Sequence, residues 1–367
     1  MEVTKYIEFL QWCLHPTDST PTCISGINWK GLLEFAKKQT IDGIYCQGMQ
    51  RLGNIPNKPS KEDAIEWMVE YMKKVRRNAK VDESVVKLTQ FMDKNSIDFF
   101  VFKGQTVASY YPHPESRTSG DVDFYVFKKD WERAKDLLSK RVKITNAHSF
   151  RHLEFNIGSV PFEMHYHTTV FASRKKQQYW DMVIESHCAD ILDHVEIKQV
   201  IVPTLPPTVN AVYLFIHIYH HFLKEGIALR QFVDWMMFLE AKHNEVVVSE
   251  LTAILNRLGL MKAFKALGAV LIEVLGMDVA FFPYSLSDSD KRYVDKIMTI
   301  ILRYGNFGQY GRIEQQGGWK HSMETGIRSV RHITRFFWLS PAENLLWLPR
   351  LIYRSLIKNA LRTKHDS

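Results

Sequence analysis

The spacing of apolar residues predicts that the first 97 residues fold as helices. Asn28 stands at a helix-cap position before Trp29, and Ser60 precedes a longer stretch whose first turn is acidic. The apolar positions of that stretch recur every three or four residues: Ile65, Met68, Val69 and Met72. This pattern therefore predicts that residues 1–97 form an N-terminal helical region.

In the middle of the chain, apolar residues recur at every second position. Residues 98–102, DFFVF, form a short β-prone run, and residues 120–126, GDVDFYV, alternate polar and apolar side chains as a half-buried strand would. Two further alternating segments flank Gly158-Ser159, which suits the two-residue type II′ turn of a hairpin. Strands are therefore expected in residues 98–204.

Helical spacing returns in residues 205–315. The best candidate for a membrane span runs from Ala266 to Tyr284, but it contains Glu273 and Asp278 and is typical of a core helix instead. The predicted fold class is α+β, with a small mixed β-sheet core flanked by N-terminal and C-terminal helical regions.

Positive charge is concentrated in a predicted helical tail, residues 316–367. The chain has a formal net charge of +8, and residues 318–367 hold nine Lys and Arg against three Asp and Glu. Ser340-Pro341 predicts a helix start. Beyond it, four cations recur at four-residue intervals: Arg350, Arg354, Lys358 and Arg362.

This tail has two interpretations. In the first it packs on the body of the protein and leaves its charges in water. In the second, residues 340–363 make a peripheral contact with an anionic membrane surface. Aromatic residues precede the cations: Phe336, Phe337, Trp338 and Trp347. Nucleic acid is not favoured as a partner, because the rest of the chain is nearly neutral and no aromatic rings alternate with the cations.

Cysteine usage and the N-terminal sequence indicate a cytoplasmic protein. The four cysteines form no CxxC pair, and a disulfide framework is not expected at this chain length. The first residues mix charges into a helical pattern and lack a small-residue cleavage site, so no signal peptide is expected. The second interpretation of the tail would place the protein at the inner membrane surface.

Asp121 and Asp123 are the first candidate site residues. Alternate side chains of a strand share a face, so the two carboxylates are neighbours that repel each other unless a cation lies between them. Mg²⁺, or Mn²⁺ in its place, prefers such oxygen ligands. The alternative is a solvated strand edge, because so short a motif often occurs by chance.

A candidate phosphate-binding group precedes the acidic pair. Gly104 lets backbone N–H groups approach a phosphate, and Lys103 can add a positive charge. Gln105 follows directly, and Arg117 lies in the loop before the acidic strand, where its guanidinium can bind phosphate oxygens in pairs. The alternatives are an ordinary strand-to-helix turn and an exposed, solvated arginine.

The hairpin predicts a second polar group on the sheet. With a two-residue turn, Glu154 faces Glu163 and His152 faces His165. Like charges directly across a sheet are destabilising, so this face is more typical of a polar cleft than of a packing surface. One of the two glutamates is a candidate third ligand beside the acidic pair, and the alternative is a face that is simply solvated.

These motifs resemble the DNA polymerase β-like nucleotidyltransferases. More narrowly, the stretch Phe100–His167 is similar to an uncharacterised bacterial family with an LKG-like motif, then Arg, GDxD and an acidic-x-His strand. Here they read FKG at 102–104, Arg117, GDVD at 120–123 and EMH at 163–165.

The resemblance implies that Asp121 and Asp123 bind Mg²⁺ and that Glu163, in preference to Glu154, is the third catalytic carboxylate. It extends more weakly into the helical segment LFIHIYHHFLKEGIALRQFVDW, whose polar residues it places in the cleft. The candidate cleft-lining residues are His152, Glu154, His165, His221, Arg230 and Asp234. His217, which shares a helix face with His221, is expected in the core or in the cleft; a zinc site is less favoured because no Glu follows His217 as in HExxH. Arg230 and Asp234, four residues apart, are expected to pair on one helix.

The expected function is transfer of a nucleoside monophosphate from an NTP to a hydroxyl of a small molecule, sugar or protein. The alternative is a non-catalytic protein that keeps the nucleotidyltransferase fold, such as a scaffold in surface-polysaccharide assembly. The position of Glu163 relative to Asp121 and Asp123 separates the two hypotheses.

Overall fold

The computed structural model describes residues 2–349 except 18, 54, 56, 146–151, 311–318 and 348. The helices are α1 Glu2–Leu14, α2 Trp29–Gln39, α3 Asp42–Arg51, α4 Lys61–Lys94, α5 Gly104–Ala108, α6 Trp131–Ser139, α7 Arg174–Met182, α8 Pro207–Lys224, α9 Leu229–Lys242, α10 Val248–Leu258, α11 Met261–Glu273, α12 Asp288–Lys291, α13 Val294–Tyr304 and α14 Trp319–Arg335. The strands are β1 Phe99–Val101, β2 Val122–Val126, β3 His152–Ile157, β4 Val160–His165, β5 Asp193–Ile197 and β6 Val200–Thr204. The small sheets between helical regions confirm the predicted α+β fold class. The expected boundary between residues 315 and 316 lies outside the described residues.

The N-terminal helices begin where their caps predict. Asn28 Oδ1 accepts a hydrogen bond from the backbone N–H of Gly31, and Ser60 Oγ accepts one from Asp63, both at 3.0 Å. The second cap starts α4, a single long helix that runs past the sheet and contacts both β2 and β4.

The main sheet has four strands in the order β1-β2-β4-β3. β1 pairs antiparallel with β2, β2 pairs parallel with β4, and β4 pairs antiparallel with β3. The hairpin register is confirmed, with Ile157 opposite Val160 across the turn. Gly158 adopts a φ of +60°, which suits the first turn position of a type II′ hairpin.

The prediction that the acidic strand is half-buried was wrong. All five residues of β2 are buried, because other elements, mainly helices, cover both faces of the sheet. Phe124 packs into one apolar core beside α4, whereas Tyr125 belongs to a larger core shared with α8 and α9. The face that carries Asp123 therefore lies under the C-terminal helices rather than in solvent.

Part of the tail packs on the body. Residues 341–347 are helical and follow Ser340, as expected, and the Phe336 ring lies 4.7 Å from the ring of Phe222 on α8. Trp347 is also buried, whereas Trp338 is exposed. Two of the aromatic residues considered for membrane contact are thus part of the core, and the four-residue cation pattern lies outside the described residues.

The apolar segment from Ala266 to Tyr284 is a core element, as expected. Its helical part belongs to α11, most of whose apolar side chains are buried. Among the described helices, none combines the length and the hydrophobicity that crossing a membrane requires.

Candidate active site

The acidic pair lies where α4, β2 and the hairpin meet. Asp121 immediately precedes β2 and Asp123 is its second residue. Arg77 on α4 binds the backbone just before β2. Its Nη2 donates to the carbonyl of Gly120 at 2.8 Å, and its Nη1 donates to the carbonyl of Ser159 at 2.6 Å. These bonds fix the start of the acidic strand against the hairpin turn.

Glu163 completes a group of three carboxylates. The parallel pairing of β2 with β4 sets Asp123 beside Glu163, and one carboxylate oxygen from each of Asp121, Asp123 and Glu163 lies within 4.8 Å of the others. Three oxygen donors at this separation fit the ligand preference of Mg²⁺ or Mn²⁺. In the described part of the chain, the other group with metal-ligand spacing, His152, Glu163 and His165, shares the same glutamate.

Of the three carboxylates, Asp123 has the closest contacts with groups that can balance its negative charge. Its Oδ1 lies 2.9 Å from Lys103 Nζ and 2.8 Å from His165 Nε2. Burial raises the pKa of Asp123, but Lys103 and His165 outweigh burial and hold the pKa below its usual range. Asp123 is therefore a carboxylate, not a carboxylic acid, at neutral pH.

Asp121 shows the opposite behaviour. The charge of Asp123, followed by burial, raises the pKa of Asp121 to about 6. Two carboxylates this close resist being charged together, and a divalent cation between them would remove that penalty.

The Lys103-Gly104 turn carries unusual backbone angles. Lys103 has φ +62° and ψ −156°, and Gly104 has φ +49°. Such a conformation costs a residue with a side chain about 1–3 kcal/mol, and strain of this kind concentrates at functional sites. It brings the ammonium of Lys103 onto Asp123 and the backbone of Gly104 close to that of Asp121.

The Gln105 side chain lies away from the acidic group. It is buried, and its amide donates to the carboxylate of Asp82 on α4. Lys103 and Gly104 line the cavity beside the carboxylates, whereas Gln105 is not among the described lining residues.

Arg117 is buried rather than exposed in its loop. Its Nε and Nη2 bind the two carboxylate oxygens of Asp234 at 2.7 and 2.8 Å, and the hydroxyl of Tyr111 donates to the same carboxylate at 2.7 Å. Burial raises the pKa of Asp234, but Arg117 overcomes this and keeps it low. The expected pair of Asp234 with Arg230 is the weaker contact, at 4.0 Å.

A cavity of about 500 Å³ connects these groups. Its walls come from the acidic group and His152, from α8 through His217 and His221, and from α9 through Arg230. The predicted cleft-lining residues are thereby brought together, except that Glu154 and His165 are not part of the described lining. Glu154 instead lies 2.7 Å from His152, and His165 is fully buried behind Asp123.

The N-terminal helices supply residues that the sequence did not single out. Arg77 and Thr40 both line the cavity. Arg77 stands in the run KKVRR, which looks like a solvated helix face, and Thr40 ends α2 in a left-handed conformation with φ +55°. The unusual backbone at Thr40 has no sequence signal, because threonine rarely adopts it.

The mixed sheet, with carboxylates from two adjacent strands under a helical layer, agrees with the nucleotidyltransferase fold that the sequence motifs imply. Residues 25–276 match the family described as "Uncharacterised nucleotidyltransferase", and because this is more than half of the chain, the protein belongs to that family.

The chain is also similar to proteins of known structure. A nucleotidyltransferase-like antigenic protein from Paracoccidioides brasiliensis is 14% identical with a TM-score of 0.33, over 55% of this chain and 96% of that one. No curated protein matches the chain.

Proposed function

We propose that the protein is a divalent-metal-dependent nucleotidyltransferase that moves a nucleoside monophosphate from an NTP to a hydroxyl acceptor. The observation that carries this proposal is the group formed by Asp121, Asp123 and Glu163 at the wall of a 500 Å³ cavity. The position of Glu163 beside the acidic pair favours an enzyme over a non-catalytic scaffold.

In the proposed reaction the acceptor oxygen forms a bond to the α-phosphorus, and the bond from that phosphorus to the bridging oxygen breaks to release pyrophosphate. The proton of the acceptor hydroxyl passes to water. Asp121, Asp123 and Glu163 would hold Mg²⁺ or Mn²⁺. When bound, the ions would supply positive charge at the acceptor oxygen and at the leaving group. The contribution of the carboxylates is positional and electrostatic.

Lys103 and Gly104 would contact the triphosphate. The ammonium of Lys103 lies at the cavity wall and is close enough to Asp123 to balance its charge before ions bind. Gly104 lets the backbone N–H groups of Gly104 and Gln105 approach phosphate oxygens without an intervening side chain. Arg117, with its guanidinium bound to Asp234, would act by positioning the loop before β2.

The test is transfer of label from each α-labelled NTP, followed together with pyrophosphate release over a panel of hydroxyl compounds. We expect Asp121→Asn and Asp123→Asn to abolish Mg²⁺-dependent transfer while leaving the circular dichroism spectrum unchanged. Asp136→Asn, an exposed position on α6 bound to Lys140, removes the same charge away from the cavity and should keep activity.

Full activity in both carboxylate variants would exclude this mechanism. A thermal-shift assay covers the non-catalytic alternative, because a ligand that binds only the native state must raise the melting temperature. The absence of a shift with any NTP and Mg²⁺ would favour the scaffold.

A further inference from the structure

The wall formed by α8 and α9 has an unbalanced positive charge. Arg117 and Arg230 both lie near Asp234, but Asp234 gives both of its carboxylate oxygens to Arg117, at 2.7 and 2.8 Å. Arg230 Nη1 is 4.0 Å from the same carboxylate. Two guanidinium groups thus lie near one carboxylate, and Arg117 makes the closer contacts with it.

The other contacts of Arg230 are with neutral groups. Its Nε donates to the hydroxyl of Thr40 and its Nη1 to the carbonyl of Thr118, both at 3.2 Å. Within the described chain, Asp234 is the only carboxylate at ion-pair distance, and no acceptor contacts Nη2.

The environment of Arg230 makes this imbalance costly. Its side chain is only 14% exposed. Burial, followed by repulsion from Arg117, lowers the pKa of Arg230. A buried charge is stable only when an opposite charge compensates it. The guanidinium lines the cavity, so an anion bound there would provide the compensation.

The other residues that line the cavity favour an anion over a stacked nucleotide base. His217 and His221, adjacent on α8 with ring centroids 4.5 Å apart, contribute imidazoles to the same wall. The apolar contribution comes from aliphatic residues such as Leu214 and Ile218, and the described lining contains no Phe, Tyr or Trp on which a base could stack.

We propose that Arg230, assisted by His217 and His221, binds a phosphate group at the α8–α9 wall of the cavity. A guanidinium binds two phosphate oxygens at once, which a lysine cannot do. The inference rests on the proposed function for its setting. The phosphate belongs either to the triphosphate of the donor or to a phosphorylated acceptor.

Calorimetric titration of the full chain in EDTA tests this subsite without any metal. The probes are tripolyphosphate, which represents the donor tail, and glycerol 3-phosphate, which represents a phosphorylated acceptor. We expect Arg230→Gln to weaken binding of the preferred probe at least about tenfold. Arg230→Lys should weaken it about threefold, because it keeps the charge but loses the paired donors.

The matched control is Arg257→Gln, which removes one positive charge at an exposed position of α10, where Arg257 lies over the ring of Tyr179. It should change affinity by less than about twofold. If Arg230→Gln fails to fold, as judged by circular dichroism and melting, Arg230→Lys decides the question.

Unchanged affinity in the folded Arg230 variants, or no binding of either probe to the wild type, would overturn the proposal. Tighter binding of tripolyphosphate assigns the subsite to the donor, and tighter binding of glycerol 3-phosphate assigns it to the acceptor. Because the titration is free of metal, loss of the subsite and loss of metal-dependent transfer are separate results.

Discussion

Arg117 shows at the scale of a single residue how a partner distant in the sequence changes a side chain's role. In the sequence it stands in a loop before an acidic strand, where a phosphate contact is the natural hypothesis. Its partner Asp234 is 117 positions further along, and their pairing buries both charges. No local pattern indicates such a contact, because it depends on how α9 docks on the sheet.

This pair makes a stability prediction. Arg117→Met leaves the carboxylate of Asp234 buried without its main partner, and we expect it to lower the free energy of unfolding by about 3–5 kcal/mol. Urea denaturation measures the loss. As a control, Arg257→Gln, which removes an exposed arginine of α10, should cost less than about 1 kcal/mol. A loss under about 1 kcal/mol in Arg117→Met would mean that the pair does not stabilise the fold.

The acidic group was predictable in part. Asp121 and Asp123 share a face by strand geometry alone, and the hairpin turn set Glu154 opposite Glu163, as the structure has it. What the residues alone left open was which glutamate joins the pair. The resemblance chose Glu163, and the parallel contact of β2 with β4, a long-range pairing, places it beside Asp123.

At the scale of elements, periodicity predicted helices well but not what they pack against. The apolar positions near the start of α4 mark a genuine helix, yet Ile65 is 64% exposed and its three stripe neighbours are also exposed. The same spacing in α11 belongs to buried residues. The spacing of apolar residues predicts that they share one face of a helix. Whether another element covers that face depends on tertiary packing.

One buried histidine takes part in the docking of α14 on α8. His332 Nδ1 donates to the carbonyl of Phe222 at 3.1 Å, and its ring lies between those of Phe222 and Tyr304. Burial lowers the pKa of His332 from 6.5 to about 4, and Arg328 and other nearby arginines add to the shift. The folded protein therefore keeps this imidazole neutral where the unfolded chain would protonate it.

The sign of the resulting pH dependence follows from this difference. Above pH 6.5 the imidazole is neutral in both states, and below it only the unfolded chain gains a proton, so the free energy of unfolding falls as the pH drops towards 4. The loss attributable to His332 should reach about 3 kcal/mol.

Urea denaturation between pH 4 and 8 measures this loss as the difference between wild type and His332→Asn. The asparagine amide keeps a donor for Phe222 but does not titrate. Equal pH dependence in the two proteins would contradict the assignment to His332.

At the scale of the whole molecule, the cavity is assembled from three parts of the chain. The N-terminal helices contribute Thr40 and Arg77, the sheet contributes the acidic group, and α8 and α9 contribute the basic wall. The sequence predicted the sheet residues and the helical residues near it, but it gave no reason to include the N-terminal helices. Their contribution depends on α2 and α4 folding back over the start of β2.

The central claim is that Asp121, Asp123 and Glu163 form one divalent-metal site. Titration of Mn²⁺ into the purified protein, followed by electron paramagnetic resonance of the free ion, tests it most directly. We predict that wild type and the exposed control Asp136→Asn bind Mn²⁺ alike, whereas Asp121→Asn and Glu163→Gln weaken binding at least about tenfold. Equal Mn²⁺ binding by all four proteins, or none by the wild type, would contradict the account.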